Sequence, residues 1–130
     1  MIVYTDGSVR RAGNNLGPAG AGVFIEGKES FSIPLGIASP MTAEASAMLI
    51  GISMALDMPR KKGILVRTDC KALVDQLHNP SWGHKNKDVA YKDLRNRLRE
   101  LITSDTTVEW IPRESNKEAD KLAREASSQP

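Results

Sequence analysis

Three acidic residues of this chain lie where a purely structural sequence seldom places a charge. Asp6 follows the apolar start of the chain, and Asp69 follows a second apolar run over residues 64–68. Glu44 lies in the first turns of a predicted helix whose only other ionisable side chain, Asp57, is near the far end. Each acid alone has an ordinary explanation, such as capping a turn or interacting with a helix N-terminus. Together they indicate a common site.

Asp120 is a fourth candidate, in a predicted helix near the end of the chain. Lys117 and Arg124 stand three residues before it and four after it, so a surface ion pair is its ordinary explanation. If the four carboxylates converge, they repel one another unless cations lie between them. Mg²⁺ prefers oxygen ligands, and two such ions about 4 Å apart can activate a water and stabilise the leaving oxygen of a phosphodiester. The residue types suit that chemistry, and their convergence is an open expectation.

The elements that would position these residues alternate in a mixed order. Apolar runs predict strands over residues 1–6, 21–27, 30–36, 64–68 and 106–111. Helical periodicity predicts helices over residues 39–58, 70–78, 88–102 and 116–126, with loops over 7–20 and 79–87 and a frayed tail from 127. The order is typical of an α/β fold with a mixed sheet flanked by helices, and we expect a single domain over residues 1–130. The carboxyl ends of its central strands would bring Asp6 and Asp69 to one edge.

Composition and charge restrict the class of protein. The 130 residues are 26% charged and 40% hydrophobic, which is typical of a soluble globular domain. The single cysteine, Cys70, excludes an internal disulfide and a multi-cysteine zinc site. The sequence contains no membrane-length apolar run and no signal-peptide pattern, so we expect a cytoplasmic protein. Residues 82–99 hold six basic side chains against two acidic ones, which indicates either a phosphate-attracting patch or a solvated helix face.

Four sequence blocks resemble type 1 ribonuclease H. They are YTDGS at residues 4–8, TAEASA at 42–47, RTD at 67–69 followed by KALV at 71–74, and NKEADKLA at 116–123. The blocks occur in the family's order on the expected elements, and the resemblance covers essentially the whole chain. Any one block is weakly diagnostic, whereas the four together are quite specific.

The resemblance implies a ribonuclease H-like fold, in which strands one to three of a five-stranded mixed sheet are antiparallel and helices cover both faces. It implies that Asp6, Glu44, Asp69 and Asp120 are catalytic and hold two Mg²⁺ or Mn²⁺ ions. The implied reaction is hydrolysis of the RNA strand of an RNA–DNA hybrid, leaving 5′-phosphate and 3′-hydroxyl ends. The predicted substrate-binding residues are Gly7, Ser8, Thr42, Trp82, Lys85, Lys87, Arg113 and Asn116.

The sequence departs from the family pattern in the loop before the last helix. Many members carry a histidine there, credited with assisting proton transfer or product release. In this chain Arg113 or Glu114 occupies its place, as in a short-loop branch of the family. The departure bears on the rate of the reaction rather than its type.

Two further departures concern substrate recognition. Pro40 and Met41 stand where the family often has asparagines that read RNA 2′-hydroxyls, so Ser39, Thr42 or backbone groups would have to substitute. Residues 79–87 are too few for the long basic protrusion of some members. Trp82, His84, Lys85 and Lys87 could form a reduced version, although Trp82 could equally cap the core.

Three alternative functions stay open on the sequence. A nuclease of the same fold could act on double-stranded RNA or branched DNA, a non-catalytic domain could bind nucleic acid, and a structural domain could use its acids only for caps and ion pairs. Metal dependence separates the nucleases from the structural domain. For the main interpretation we expect a monomer that binds an RNA–DNA hybrid, with no membrane association and no obligate protein partner.

Overall fold

Five strands, four α-helices and a short 3₁₀ turn form the part of the chain that the computed structural model describes, which is residues 1–10, 16–59, 63–79 and 88–128. The strands are β1 (Ile2–Val9), β2 (Gly17–Ile25), β3 (Glu29–Ala38), β4 (Ile64–Thr68) and β5 (Thr106–Trp110). The helices are α1 (Pro40–Leu56), α2 (Lys71–His78), α3 (Val89–Leu101) and α4 (Lys117–Ser127), with the 3₁₀ turn at Arg113–Ser115. None of these helices has the length and apolar character needed to cross a membrane.

The strands form one mixed sheet in the order β3-β2-β1-β4-β5. β1 pairs antiparallel with β2, and β2 pairs antiparallel with β3. β4 lies parallel to both β1 and β5. The predicted five-stranded mixed sheet with three antiparallel strands is confirmed, and β1 is its central strand.

Helices cover both faces of the sheet, and the contacts of β1 and β2 show which helix lies on which face. Gly51 of α1 packs against Val3 and Thr5, whereas Gly22, the partner of Asp6 in the β1–β2 ladder, packs against α4. Because successive residues of a strand point to opposite faces, odd-numbered residues of β1 face α1 and even-numbered residues face α4. Helix α3 packs against α1 and α2.

Ser39 caps the N-terminus of α1. Ser39 Oγ accepts a hydrogen bond of 3.2 Å from the Thr42 N–H, and Pro40 occupies the first helical position. The helix packs its small and apolar side chains against the sheet, which fixes its start relative to β1. The largest fully buried apolar side chains of the resulting core are Tyr91, Ile25, Met48, Ile52, Ile64, Leu73 and Leu98.

The predicted loop over residues 7–20 is wrong at both ends, since β1 continues to Val9 and β2 begins at Gly17. Gly7 and Gly20 in this stretch lie in strands, where a helix packs closely against them. A Cβ on Gly20 would lie only 2.4 Å from the carbonyl oxygen of Ala123 in α4. A composition that is typical of a loop therefore reflects, in part, the close approach of a helix to a sheet.

We expect the substitution Gly22→Ala to destabilise the protein strongly. The new Cβ would lie 2.1 Å from the Ala119 carbonyl oxygen and 2.6 Å from the Ala123 nitrogen, so α4 would have to move. Overpacking of this kind should lower the free energy of unfolding by about 3 kcal/mol, measured by urea denaturation.

Gly27→Ala is the matched control for this prediction. Gly27 lies in the β2–β3 turn with a φ of +74°, and a Cβ there would meet nothing within 4 Å. Its cost should be about 1 kcal/mol, from the left-handed backbone conformation alone. Equal losses for the two variants would contradict the close packing of α4 on β2.

Candidate functional site

A notch in the sheet lies beside the middle of β1. β4 pairs with residues 2–4 of β1 and ends at Thr68, while β1 continues to Val9 with β2 on its other side. Asp6 is therefore not at the end of its own strand, as predicted, but just past the end of the neighbouring one. Asp69 directly follows β4 and borders the same notch, where the carboxyl ends of parallel strands place ligands.

Glu44 approaches this notch from α1, and Gly7 makes the approach possible. The backbone N–H of Gly7 donates a hydrogen bond to Glu44 Oε1. A Cβ on Gly7 would lie 2.4 Å from the carbonyl carbon of Ala43 and 2.5 Å from the Glu44 nitrogen. Only glycine lets α1 come this close to β1, so Gly7, which was predicted to bind substrate, also has a packing and orienting role.

Three of the four predicted carboxylates converge at the notch. Carboxylate oxygens of Asp6, Glu44 and Asp69 lie within 4.8 Å of one another, and Asp6 is 6% exposed. Asp6 belongs to the sheet face that α4 covers, whereas Glu44 comes from α1 on the other face, so the notch is where the two layers meet. Three oxygen donors at this spacing fit a hard divalent cation such as Mg²⁺ or Mn²⁺.

Asp120 approaches the same cluster from α4. Its carboxylate is within hydrogen-bonding reach of Asp6. It also forms a 3.2 Å ion pair with Arg124 Nε, one helical turn further along. The surface ion pair that the sequence suggests is therefore present, and it lies at the edge of the acidic cluster.

The electrostatics of the metal-free cluster favour retention of a proton. Burial and the neighbouring Glu44 raise the pKa of Asp6 well above its usual range, and Asp69 adds to the effect. Burial also raises the pKa of Glu44, although hydrogen bonds from Asp6 and from the Gly7 backbone oppose that change. A cation between these groups would replace the proton as the source of positive charge.

The acidic cluster lies in a cleft of about 630 Å³. The predicted residues Gly7, Ser8 and Arg113 line it, and so do residues that the sequence did not indicate as substrate-binding: Val9, Arg10, Arg124, Ser127 and Ser128. Three guanidinium groups thus border a site made of carboxylates. This juxtaposition suits a phosphodiester, whose charge needs cations beside the acids.

The end of α4 was predicted to fray from residue 127, and this is wrong for Ser127. Its side chain is buried, and its hydroxyl donates to the Arg124 carbonyl oxygen at 3.1 Å and lies 3.3 Å from Ser8 Oγ. The apolar spacing ends at Ala126, so a periodicity argument has no signal for a serine that continues the helix and packs on β1.

Two predicted substrate-binding side chains make intramolecular contacts. The Thr42 hydroxyl donates to Asp88 Oδ2 at 3.0 Å, beside a 2.6 Å hydrogen bond from Ser39 to the same oxygen. Asn116 is 1% exposed, and its Nδ2–H donates to the Thr5 carbonyl oxygen at 3.0 Å. This hydrogen bond of Asn116 holds the start of α4 against β1, and the Asn116 side chain does not line the cleft.

Three further predictions, Trp82, Lys85 and Lys87, fall outside the described residues. The segment that would hold them, with His84, begins after Asn79 and ends before Asp88. Their roles stay predictions from the sequence.

Known proteins resemble this chain over nearly its whole length. The model of a family described as reverse transcriptase-like matches residues 6–126. EbsB of Enterococcus faecalis, named as a candidate hydrolase, is 26% identical over 97% of this chain and 93% of its own length.

Two solved structures share the fold. RNase H1 from the halophilic archaeon Halobacterium salinarum NRC-1 is 30% identical, with a TM-score of 0.80 over 96% of this chain and 95% of that one. LC11-RNase H1, in a complex with an RNA/DNA hybrid, is 27% identical, with a TM-score of 0.75 over 96% of this chain and 94% of that one. These likenesses confirm the ribonuclease H-like fold.

The raised pKa of Asp6 predicts an unusual pH dependence of stability in metal-free protein. The folded state holds a proton that the unfolded chain releases above about pH 4, so the free energy of unfolding should fall as the pH rises toward neutrality and beyond. Asp6→Asn removes the group and should flatten this decline. Urea denaturation in EDTA at several pH values measures the difference.

The exposed carboxylate of Asp57, at the end of α1, supplies the control. Asp57→Asn should keep the parent's decline, and saturating Mg²⁺ should reverse the decline in the parent more than in Asp6→Asn. Parallel pH profiles for the parent and Asp6→Asn would contradict the buried, protonated state of this carboxyl group.

Proposed function

This chain belongs to the reverse transcriptase-like family, and on that premise we propose that it is a metal-dependent endoribonuclease of the ribonuclease H type. Its substrate would be an RNA–DNA hybrid, of which it cuts the RNA strand. The observation that carries the proposal is the convergence of the Asp6, Glu44 and Asp69 carboxylates within 4.8 Å at the notch of the sheet. Carboxylates that only capped turns would not be expected to converge from three separate segments of the chain.

The acidic cluster would hold two Mg²⁺ or Mn²⁺ ions, with Asp120 as the fourth ligand. Bound in this way, the ions would supply an activated water and charge stabilisation for the leaving 3′-oxygen, giving a 5′-phosphate and a 3′-hydroxyl. The protein's own contribution is to hold the ligands in place. The Gly7 N–H orients the Glu44 carboxylate, and Arg124 offsets the charge of Asp120.

Basic side chains around the cleft would position the substrate backbone. Arg10, Arg113 and Arg124 line the cleft that holds the acids, and guanidinium groups bind phosphate oxygens with two parallel hydrogen bonds. Arg113 lies in the loop where many ribonucleases H carry a histidine. An arginine side chain has only hydrogen-bond donors and no acceptor atom, so Arg113 would bind phosphate and not serve as a general base.

The hybrid substrate is supported by the likeness to LC11-RNase H1, which was crystallised with an RNA/DNA hybrid. Recognition of RNA requires a contact with the ribose 2′-hydroxyl. The Ser39 and Thr42 hydroxyls both donate to Asp88, so each would have to accept a hydrogen bond from the 2′-hydroxyl. Ser39 already accepts from the Thr42 N–H, which leaves Thr42 as the better acceptor.

Asp6→Asn and Asp69→Asn should each abolish cleavage and leave the protein folded. The test uses four end-labelled duplexes, namely RNA–DNA, RNA–RNA, DNA–DNA and DNA with one ribonucleotide, each with Mg²⁺, Mn²⁺ or EDTA. We expect metal-dependent cutting of the RNA strand of the hybrid by the parent only. Cutting of RNA–RNA as well would indicate the looser selectivity of a related nuclease, and binding of the hybrid without any cutting would favour a non-catalytic nucleic-acid-binding domain.

Arg113→Gln should weaken hybrid binding while the cleavage chemistry persists at saturating substrate. Loss of one phosphate contact should reduce the slope of log affinity against log salt concentration by about one. Fluorescence anisotropy with labelled hybrid in Ca²⁺, at several salt concentrations, measures the slope. Lys28→Gln, exposed in the β2–β3 turn and outside the lining of the cleft, is the control and should keep the parent's slope. Equal slopes for the parent and Arg113→Gln would exclude Arg113 from the interface.

A further inference from the structure

Trp110, the last residue of β5, is a large aromatic side chain in an unusual position. It is 47% exposed, whereas Thr68, its partner in the β4–β5 ladder, is 1% exposed. Its indole Nε1–H donates a hydrogen bond of 3.2 Å to the backbone carbonyl oxygen of Asp69. A side chain of β5 therefore contacts the residue that supplies one of the three converging carboxylates.

The contact extends the β4–β5 ladder by one residue. Thr68 is paired with Trp110 at the end of the ladder, and the Ile111 N–H donates to the Thr68 carbonyl oxygen at 2.9 Å. β4 ends at Thr68, so no backbone N–H of β5 pairs with the next carbonyl group, that of Asp69. The indole N–H of Trp110 donates to it instead. Asp69 is thus held to β5 although it lies outside the strand.

Few other contacts fix this connection among the described residues. Only Asp69 and Cys70 separate β4 from α2, and the start of α2 has no side-chain cap. The peptide group that joins Asp69 to Cys70 is held at both of its polar atoms. The Cys70 N–H donates to Thr68 Oγ1 at 3.1 Å, and the Asp69 carbonyl oxygen accepts the hydrogen bond from Trp110.

We propose that Trp110 is a positioning residue, whose indole N–H holds the Asp69 backbone so that its carboxylate meets those of Asp6 and Glu44. The proposal rests on the metal-binding part of the proposed function and not on the identity of the nucleic acid. In metal sites, partners that orient a ligand without touching the metal commonly change metal affinity about ten-fold when they are removed. The ring of Trp110 is not part of this role.

Trp110→Phe separates the two parts of the side chain, because it keeps an aromatic ring and removes the N–H. Isothermal titration calorimetry with Mn²⁺ alone, without nucleic acid, measures the effect on the folded protein. We expect an apparent affinity about ten-fold weaker than that of the parent, with a small change in melting temperature since the hydrogen bond is exposed. In cleavage assays at a fixed, subsaturating Mn²⁺ concentration, kcat should fall and the KM for hybrid should stay constant.

Tyr4→Phe is the matched control. The Tyr4 hydroxyl accepts a 3.0 Å hydrogen bond from Arg67 Nη1 on β4, so this variant also keeps a ring and loses one polar contact in the same sheet. Its Mn²⁺ affinity should equal that of the parent. Trp110→Ala, which removes ring and N–H together, should weaken Mn²⁺ binding no further than Trp110→Phe does.

The outcomes separate this proposal from its rivals. A Mn²⁺ affinity of Trp110→Phe within two-fold of the parent would overturn it. A raised KM of Trp110→Ala for the hybrid, with Mn²⁺ affinity unchanged in both variants, would assign the ring to substrate stacking instead. Weaker Mn²⁺ binding by Trp110→Phe would support it even if no duplex were cleaved, in which case only the nuclease assignment would fail. No Mn²⁺ binding by the parent would overturn both.

Discussion

The mutual repulsion of Asp6, Glu44 and Asp69 is the interaction on which the rest of the structure depends. Two unit charges about 4 Å apart near a protein surface interact with about 4 kcal/mol, which is a large fraction of the stability of a small domain. The carboxylate oxygens nevertheless lie within 4.8 Å of one another. The folded protein tolerates this arrangement because packing elsewhere holds the backbones, and because the cluster can take up a proton or a cation.

Two features place these backbones. Helices approach the sheet closely at glycine residues, and β4 is shorter than β1. Gly7 lets α1 reach β1 and donates its N–H to Glu44, and Gly22 lets α4 lie directly on β2. β4 ends beside Asp6, so the edge of β1 is open where the acids meet. Helices on opposite faces of one sheet can therefore present carboxylates to the same point.

Much of the fold and part of the site could be predicted from the sequence, because apolar periodicity and isolated charges are local signals. Glu44 stands out as a lone acid early in an apolar helix, and Asp69 as an acid directly after an apolar strand. The position of Asp6 beside a notch depends on the register and length of β4, which no local pattern encodes. The role of Trp110 has no local signal for the same reason, since its partner, Asp69, follows a strand that is distant in the sequence.

The central claim is that Asp6, Glu44 and Asp69 together hold divalent cations, and anomalous diffraction tests it most directly. Crystals grown with Mn²⁺ and measured on both sides of the manganese absorption edge would locate each ion without reference to activity. The account predicts anomalous peaks at the notch, with carboxylate oxygens of these three residues at about 2.0–2.3 Å from the metal. An empty notch in crystals that hold Mn²⁺ elsewhere would contradict it.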